Sequence, residues 1–317
     1  MSRHRTAGLN FDGRVAIVTG AGRGLGRAYA QLLAQRGAAV VVNDTGGDLT
    51  GDGLHADLAE QVAAEIRDAG GAAVGCTASV ATPEGGAAIV DAALKRYGRV
   101  DILIHNAGNV RRAPLRQMSS HDFEAVLDVH LRGAFHVVRA AFGVMCDAGY
   151  GRIVLTSSIG GIYGNADVAN YAAAKAGVIG LSNVAALEGA AHGVRCNVVV
   201  PAAVTRMAEG VDTSAYPPME PELVAPVVGW LAHESCSVTG EVLIALAGRV
   251  ARAALVESPG VYQPSWTIED IDARIEAIRD VTEPVSFPVV PDGHAAHIRY
   301  SFGMAQSDGT QVVEGEL

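Results

Sequence analysis

Lysine is almost missing from this chain. Of the 24 basic residues among its 317, only Lys95 and Lys175 are lysines, so each invites a chemical reason. Acidic residues number 34, giving a net charge of −10. That balance argues against nucleic acid or an anionic membrane surface as partner. No apolar run approaches the ~18 residues that span a bilayer. The opening MSRHRTAGLNFDG has no apolar segment of signal-peptide type. Cys76, Cys146, Cys196 and Cys236 lie far apart without a CxxC pair. That predicts reduced thiols, a cytoplasmic setting and no metal site. Aromatic residues are also sparse, at 5%. Ala, Val and Gly do most of the filling instead, which suits helices packed closely on a parallel sheet.

What is present is a rhythm. Strand-like runs at 15–19, 39–43, 72–76, 100–104, 152–156, 194–200 and 241–246 alternate with helical patterns near 25–36, 56–69, 84–97, 120–147, 168–191 and 222–233. Such alternation predicts right-handed crossovers and a doubly wound parallel sheet of seven strands, an α/β fold of Rossmann type. Ligands of these sheets sit beyond the C-terminal strand ends. The Gly/Asp-rich stretch 45–53 reads as a surface excursion after the second strand. The catalytic domain is expected over 1–248. Residues 249–317 form a C-terminal extension with one clear helix signal from Thr267 to about Val281, followed by a Pro/Gly-rich tail. Ile268, Ile271, Ile275 and Ile278 recur at helical spacing, so this helix is expected to dock on its own or a partner subunit and help cover the substrate entrance.

The first strand runs into Gly20-Ala21-Gly22-Arg23-Gly24-Leu25-Gly26, and a helix follows. Glycines there permit a tight turn and close approach of backbone N–H groups to a pyrophosphate, with the helix N-terminus behind them. Asp44 ends the second strand, where a carboxylate can accept both adenosine ribose hydroxyls and repel a 2′-phosphate. Arg23 argues for the phosphorylated cofactor, but beside Asp44 the balance points to NAD. Asn106-Ala107-Gly108 follows the fourth strand at the same sheet edge.

Tyr171 and Lys175 stand at i and i+4 of one predicted helix and therefore share a face. A free phenol titrates near 10, too high for a base at neutral pH, and an adjacent ammonium favours its ionised form. Thirteen residues earlier, Ser158 follows the fifth strand and is able to hold a substrate oxygen beside that phenol. Ser157 competes for this role, and spacing favours Ser158.

The joint pattern TGAGRGLG, NAG, Ser158, Tyr171 and Lys175 resembles the short-chain dehydrogenase/reductase family over residues 12 to about 247. The resemblance implies a homodimeric or homotetrameric NAD(P)-dependent oxidoreductase. Tyr171 would be the acid/base, Lys175 would also bind the nicotinamide ribose, and Ser158 would orient substrate. The segments VVVNDTGGD, VHLRGAF, GIYGNADVANYAAAKAG and VAPVVGWLAHESC are similar to the (3R)-hydroxyacyl-CoA dehydrogenase part of peroxisomal multifunctional enzymes of type 2. Several positions depart from the wider family. His130 stands where an Asn commonly joins a proton relay, and reads equally as a relay member or a locally bonded residue. Ala78, beside Ser79 and Val80, replaces the usual adenine-contacting Asp. Pro201-Ala202 replaces Pro-Gly, and Thr205 is expected to face the carboxamide.

Together these imply oxidation of a 3-hydroxyacyl-CoA to its 3-oxoacyl-CoA, including bulky or steroid-derived acyl groups. A 17β-type hydroxysteroid dehydrogenase acting on free steroids is the alternative, and a nucleotide-binding protein without catalysis lies further off. Arg111, Arg112 and Arg116 cluster after the NAG motif. They read either as a phosphate contact for coenzyme A, through Arg111 and Arg116, or as a solvated loop paired to local carboxylates.

Overall fold

Strand β1 (Val15–Thr19) is buried along its whole length, and so are β4 (Ile102–His105) and β5 (Gly151–Thr156). Strands covered on both faces are largely apolar, which is why their sequences read as runs rather than alternations; the charged exception, Arg152 of β5, bonds the carbonyls of His233 and Glu234. The protein is described by a computed structural model over residues 8–53, 57–205 and 216–307. Besides these strands, β2 (Ala39–Asn43), β3 (Ala72–Cys76), β6 (Val194–Ala202), β7 (Val242–Leu246) and β8 (Arg249–Ala253) build one sheet, in the order β3-β2-β1-β4-β5-β6-β7-β8. The pairings from β3 through β7 are all parallel.

The order reverses at β1, which pairs with β2 on one side and β4 on the other. Thr19 stands opposite both Asn43 and His105, so the chain leaves three neighbouring strands at one level. A crevice must open where successive connections depart in opposite directions.

Six of the expected helical stretches form: α1 (Gly24–Gln35), α2 (Asp57–Asp68), α3 (Pro83–Tyr97), the 120–147 stretch, α7 (Ala169–Gly189) and α8 (Ala225–Ala232). The 120–147 stretch comprises α4 (Ser120–Leu127), a π-turn at Asp128–Arg132 and α5 (Gly133–Asp147). A short α6 (Ile159–Tyr163) stands before α7. The eighth strand is a departure from the expected seven. Ala247 and Gly248 both have positive φ, 47° and 79°. Two such residues make the primed turn that reverses a chain into a hairpin, carrying β8 back along β7.

The chain divides into two compact units, residues 1–252 and 253–317, so the boundary falls a few residues beyond the expected 248. In the second unit, α9 (Ile268–Arg279) opens with a capping box in which Thr267 and Asp270 bond reciprocally. A second helix, α10 (Gly293–Ser307), was not foreseen in the tail. Phe287 packs its ring against His297 and Tyr300, which ties α10 to the segment preceding it. Ile268, Ile271 and Ile275 of α9 are exposed in the single chain.

Candidate active site

The crevice at the reversal is a cleft of about 450 Å³, lined from the ends of β1, β2, β4, β5 and β6 and from α7. Its floor depends on glycine. Gly20 has φ +63°, and a Cβ there would stand 2.7 Å from the Cα of Ala107. Gly26 faces inward: a Cβ would lie 2.1 Å from the carbonyl oxygen of Gly20, so it packs the loop while Gly20, Arg23, Gly24 and Leu25 line the cleft. Arg23, at the N-cap of α1, makes no side-chain cap, and no acidic side chain occupies the first turn. Those N–H groups need an acceptor, and a phosphate would supply one.

Asn106 and Ala107 donate their backbone N–H groups to Thr19 Oγ1 at 3.1 and 3.2 Å, and Asn106 Nδ2 donates to Gly20 O at 3.1 Å. These bonds lock the NAG segment to the glycine loop. The Asp44 carboxylate accepts from Gly22 N at 2.9 Å and Gly46 N at 2.7 Å. It lines the cleft, and a carboxylate has about four acceptor positions, so two stay open toward a ligand. Sequence reasoning missed Asn43, whose amide donates to the carbonyls of Cys76 and Ala78 and holds the end of β3 beside that of β2. Ser79, Val80, Pro201 and Thr205 also line the cleft.

At the catalytic end, Lys175 is 3% exposed and donates from Nζ to Thr156 O at 2.6 Å. Burial pushes this ammonium down to about 7. Ser158 Oγ and the Tyr171 ring flank Gly160 together, 3.6 and 3.9 Å from where a Cβ would stand. Ser158 also caps α6, accepting from Gly160 N. Ser157 also lines the cleft, but its Oγ donates to Lys175 O at 2.6 Å, which commits its proton to the buried interior. Tyr171 departs from the expectation in one respect. Burial raises its phenol, and the opposing pulls come from Ser158 and the Arg112 charge rather than from Lys175, whose Nζ lies 5.6 Å from the ring centroid. Asn170, another residue the sequence reading passed over, is buried and donates to the carbonyls of Arg111 and Asp122, while its Oδ1 accepts from Tyr171 N. It fixes the start of α7 against its surroundings.

His130 sits in the π-turn, buried, with its ring edge-on to Tyr171 at 5.2 Å. Nε2 lies 3.0 Å from Asn109 N and 2.8 Å from Asn109 O. Gly108 must lack a side chain, because a Cβ would meet this ring at 2.4 Å. Local bonding is therefore satisfied at Nε2, whereas Nδ1 has no partner among the described residues. The ring lines the cleft.

Burial and the Lys175 charge hold His130 well below the ordinary imidazole range, and the same two causes push His105 down to about 3. Both rings are thus neutral when folded and titrate near 6.5 when unfolded. Below about pH 6.5 the unfolded chain gains two protons that the folded chain does not. Stability is then lost as pH falls, by about 1.4 kcal/mol per pH unit for each ring. Urea midpoints measured from pH 7 to 4 should show this slope, and His130→Asn should remove about half of it. An unchanged slope in that variant would mean His130 does not bury a neutral ring.

A family model described as short chain dehydrogenase matches residues 14–214. The chain belongs to the short-chain dehydrogenase family. As a short-chain dehydrogenase it is an oxidoreductase acting on a hydroxyl-bearing carbon. It is 48% identical over 280 residues to peroxisomal multifunctional enzyme type 2 of Drosophila melanogaster, covering 88% of this chain and 46% of that protein. The full-length structure of the Drosophila enzyme matches with a TM-score of 0.77 and 38% identity, over 95% of this chain and 51% of the other. A short chain dehydrogenase from Mycobacterium avium matches with a TM-score of 0.74 and 38% identity, over 84% and 94%. The chain thus spans about half the length of its Drosophila relative. Among the described residues of this short-chain dehydrogenase, no helix is long and apolar enough to cross a membrane.

The arginines separate. Arg111 is more than four-fifths enclosed and bonds Asp52 and Asp122, which answers to pairing with carboxylates rather than to a free phosphate contact. Arg112 and Arg116 are exposed. The 45–53 stretch is not a mere surface excursion either, since Thr45, Gly47, Asp48 and Gly51 line the cleft.

Proposed function

We propose that this protein oxidises a 3-hydroxyacyl-CoA to the 3-oxoacyl-CoA with NAD as acceptor. The reading is carried by Tyr171 and the buried Lys175 standing in the same cleft as the glycine loop and Asp44, with Ser158 near the Tyr171 ring. A bound NAD would supply the hydride acceptor for the alcohol carbon. Ser158 and Tyr171 together hold the alcohol oxygen, and Tyr171 receives its proton. Lys175 and the first turn of α1 hold the ribose and the pyrophosphate. Two carboxylates favour NAD over its 2′-phosphate: Asp44, and Asp48, which the sequence reading did not single out and which Thr50 keeps ionised by hydrogen bonding. With Arg111 committed elsewhere, contact with the phosphates of coenzyme A passes to Arg112, whose charge reaches the Tyr171 phenol, and to Arg116. The name of the Drosophila relative supports the thioester.

A dimer or tetramer is part of this reading. Phe135 on α5, Val184 and Leu187 on α7, and the exposed isoleucines of α9 are apolar surface for a second copy to cover.

Formation of NADH over a panel of alcohols tests the proposal. We expect kcat/KM for a 3-hydroxyacyl-CoA to exceed that for the matching free acid and for a free hydroxysteroid, and NAD to be preferred to NADP. A hydroxysteroid turned over better than every thioester would sink the substrate assignment. A preference for NADP would sink the role given to the two carboxylates.

A further inference from the structure

Arg111 makes more bonds than a surface arginine needs. Its Nε donates to Thr50 O at 3.1 Å, Nη2 donates to both oxygens of Asp52 at 3.0 and 2.9 Å, and Nη1 donates to Asp122 at 3.2 Å. Asn109 Nδ2 reaches the same Thr50 carbonyl at 3.2 Å, and Val110 N donates to Leu49 O at 3.0 Å. Gly51, with φ +90°, packs so closely that a Cβ would stand 2.7 Å from Asn109 Nδ2. The segment after β2 is therefore fastened onto the segment after β4. Gly47, Asp48 and Gly51 of the fastened segment form part of the cleft wall. On its other side, Arg111 O accepts from Asn170, the residue before Tyr171.

We propose that Arg111 is a positioning residue for the dinucleotide, holding segment 48–52 as a preformed wall of the cleft through its ion pair with Asp52. This rests on the reading of the cleft as a dinucleotide site. Residues 44–53 include four glycines, and glycine loses the most backbone freedom on ordering. Without a tether, that ordering would be drawn from the free energy of cofactor binding. A planar guanidinium suits the task, because its three nitrogens point in fixed directions and here serve three partners at once: Nη2 the Asp52 carboxylate, Nε the Thr50 carbonyl and Nη1 Asp122. The pair also offsets one of three aspartate charges, Asp44, Asp48 and Asp52, carried by a segment next to an anionic ligand.

The test is calorimetric titration of the full chain with NAD, for the wild type, Arg111→Gln, Asp52→Asn and the double variant, beside steady-state kinetics. We expect each single variant to bind NAD about tenfold more weakly. The double variant should be no weaker than either single one, since both remove the same tie. The loss should fall on KM for NAD, not on kcat at saturating NAD nor on KM for the alcohol, and Arg111→Lys should recover part of it. A wild type that binds no dinucleotide would overturn the cofactor reading itself. A wild type that binds NAD, with Arg111→Gln binding equally well, would overturn only the tether. A raised KM for the thioester alone would return Arg111 to the substrate, and additive losses would dissolve the Asp52 pair. Should Arg111→Gln fail to fold, Asp52→Asn, on the exposed side of the pair, must still show the weakened NAD binding for the proposal to stand.

Discussion

Tyr171→Phe should lower kcat by two to four orders of magnitude, the range that a positioned general acid or base contributes, and leave NAD affinity close to wild type. The change removes one oxygen. The ring stays, with its edge-on packing against His130 and its place in α7, so the fold has little reason to move. What disappears is the oxygen proposed to take the alcohol proton, on whose titration Ser158 acts. Single-turnover measurements with the saturated variant would separate lost chemistry from lost binding. Near-normal turnover would place the base on another residue. His130 would be the first to examine, through its unpartnered Nδ1.

Lys175→Met should give a protein that is more stable near neutral pH and almost inactive. The ammonium is buried and titrates near 7 when folded, against about 10.4 in an unfolded chain. Between these values the unfolded chain holds a proton that the folded chain lacks, so stability rises with pH across that window. Below pH 7 the burial penalty is present in full. Met is unbranched and fills similar space without charge, but it leaves Thr156 O without the Lys175 donor. The two effects oppose, and a net gain of about 1–3 kcal/mol is expected at pH 6.5. The gain should shrink as pH rises and turn into a net loss before about pH 10, where only the missing bond to Thr156 O remains. Urea melts at pH 6.5, 8 and 9.5 check the sign, and loss of stability at every pH would mean the lysine is held by more than its burial costs. Activity should fall at least about a hundredfold, and Lys175→Arg should not restore it, because a planar fork does not fit where Nζ meets one carbonyl.

The parts of this molecule legible in its sequence are those fixed by local pattern. Buried strands announced themselves as apolar runs, the glycine loop by its position between β1 and α1, and the Tyr171–Lys175 pair by a four-residue spacing. Of the two neighbouring serines, Ser157 is tied to the Lys175 carbonyl, a bond no spacing rule announces. The misses depend on long-range partners. Strand β8 reads Arg-Val-Ala-Arg-Ala at a sheet edge with Val250 exposed, so no apolar run betrays it, and its turn lacks the usual Asn-Gly. Helix α10 carries two glycines and little contrast between faces. Arg111 finds Asp52 from 59 residues away, and no spacing rule would connect them. The loop after β2 looked superficial for the same reason: Thr50, Gly51 and Asp52 pack on the chain that follows β4.

The π-turn at Asp128–Arg132 takes one more residue per hydrogen bond than the helices on either side. An added residue rotates everything after it by about 100°. The rod from Ser120 to Asp147 therefore behaves as two helices with different orientations sharing one axis: α4 turns its apolar side to α7, and α5 turns its own to α3. Shortening this stretch by a single residue would bring both halves into phase and oblige the rod to choose between neighbours. Substitution should thus be far better tolerated than deletion along these twenty-eight positions, a difference that a scan of one-residue deletions across them would expose.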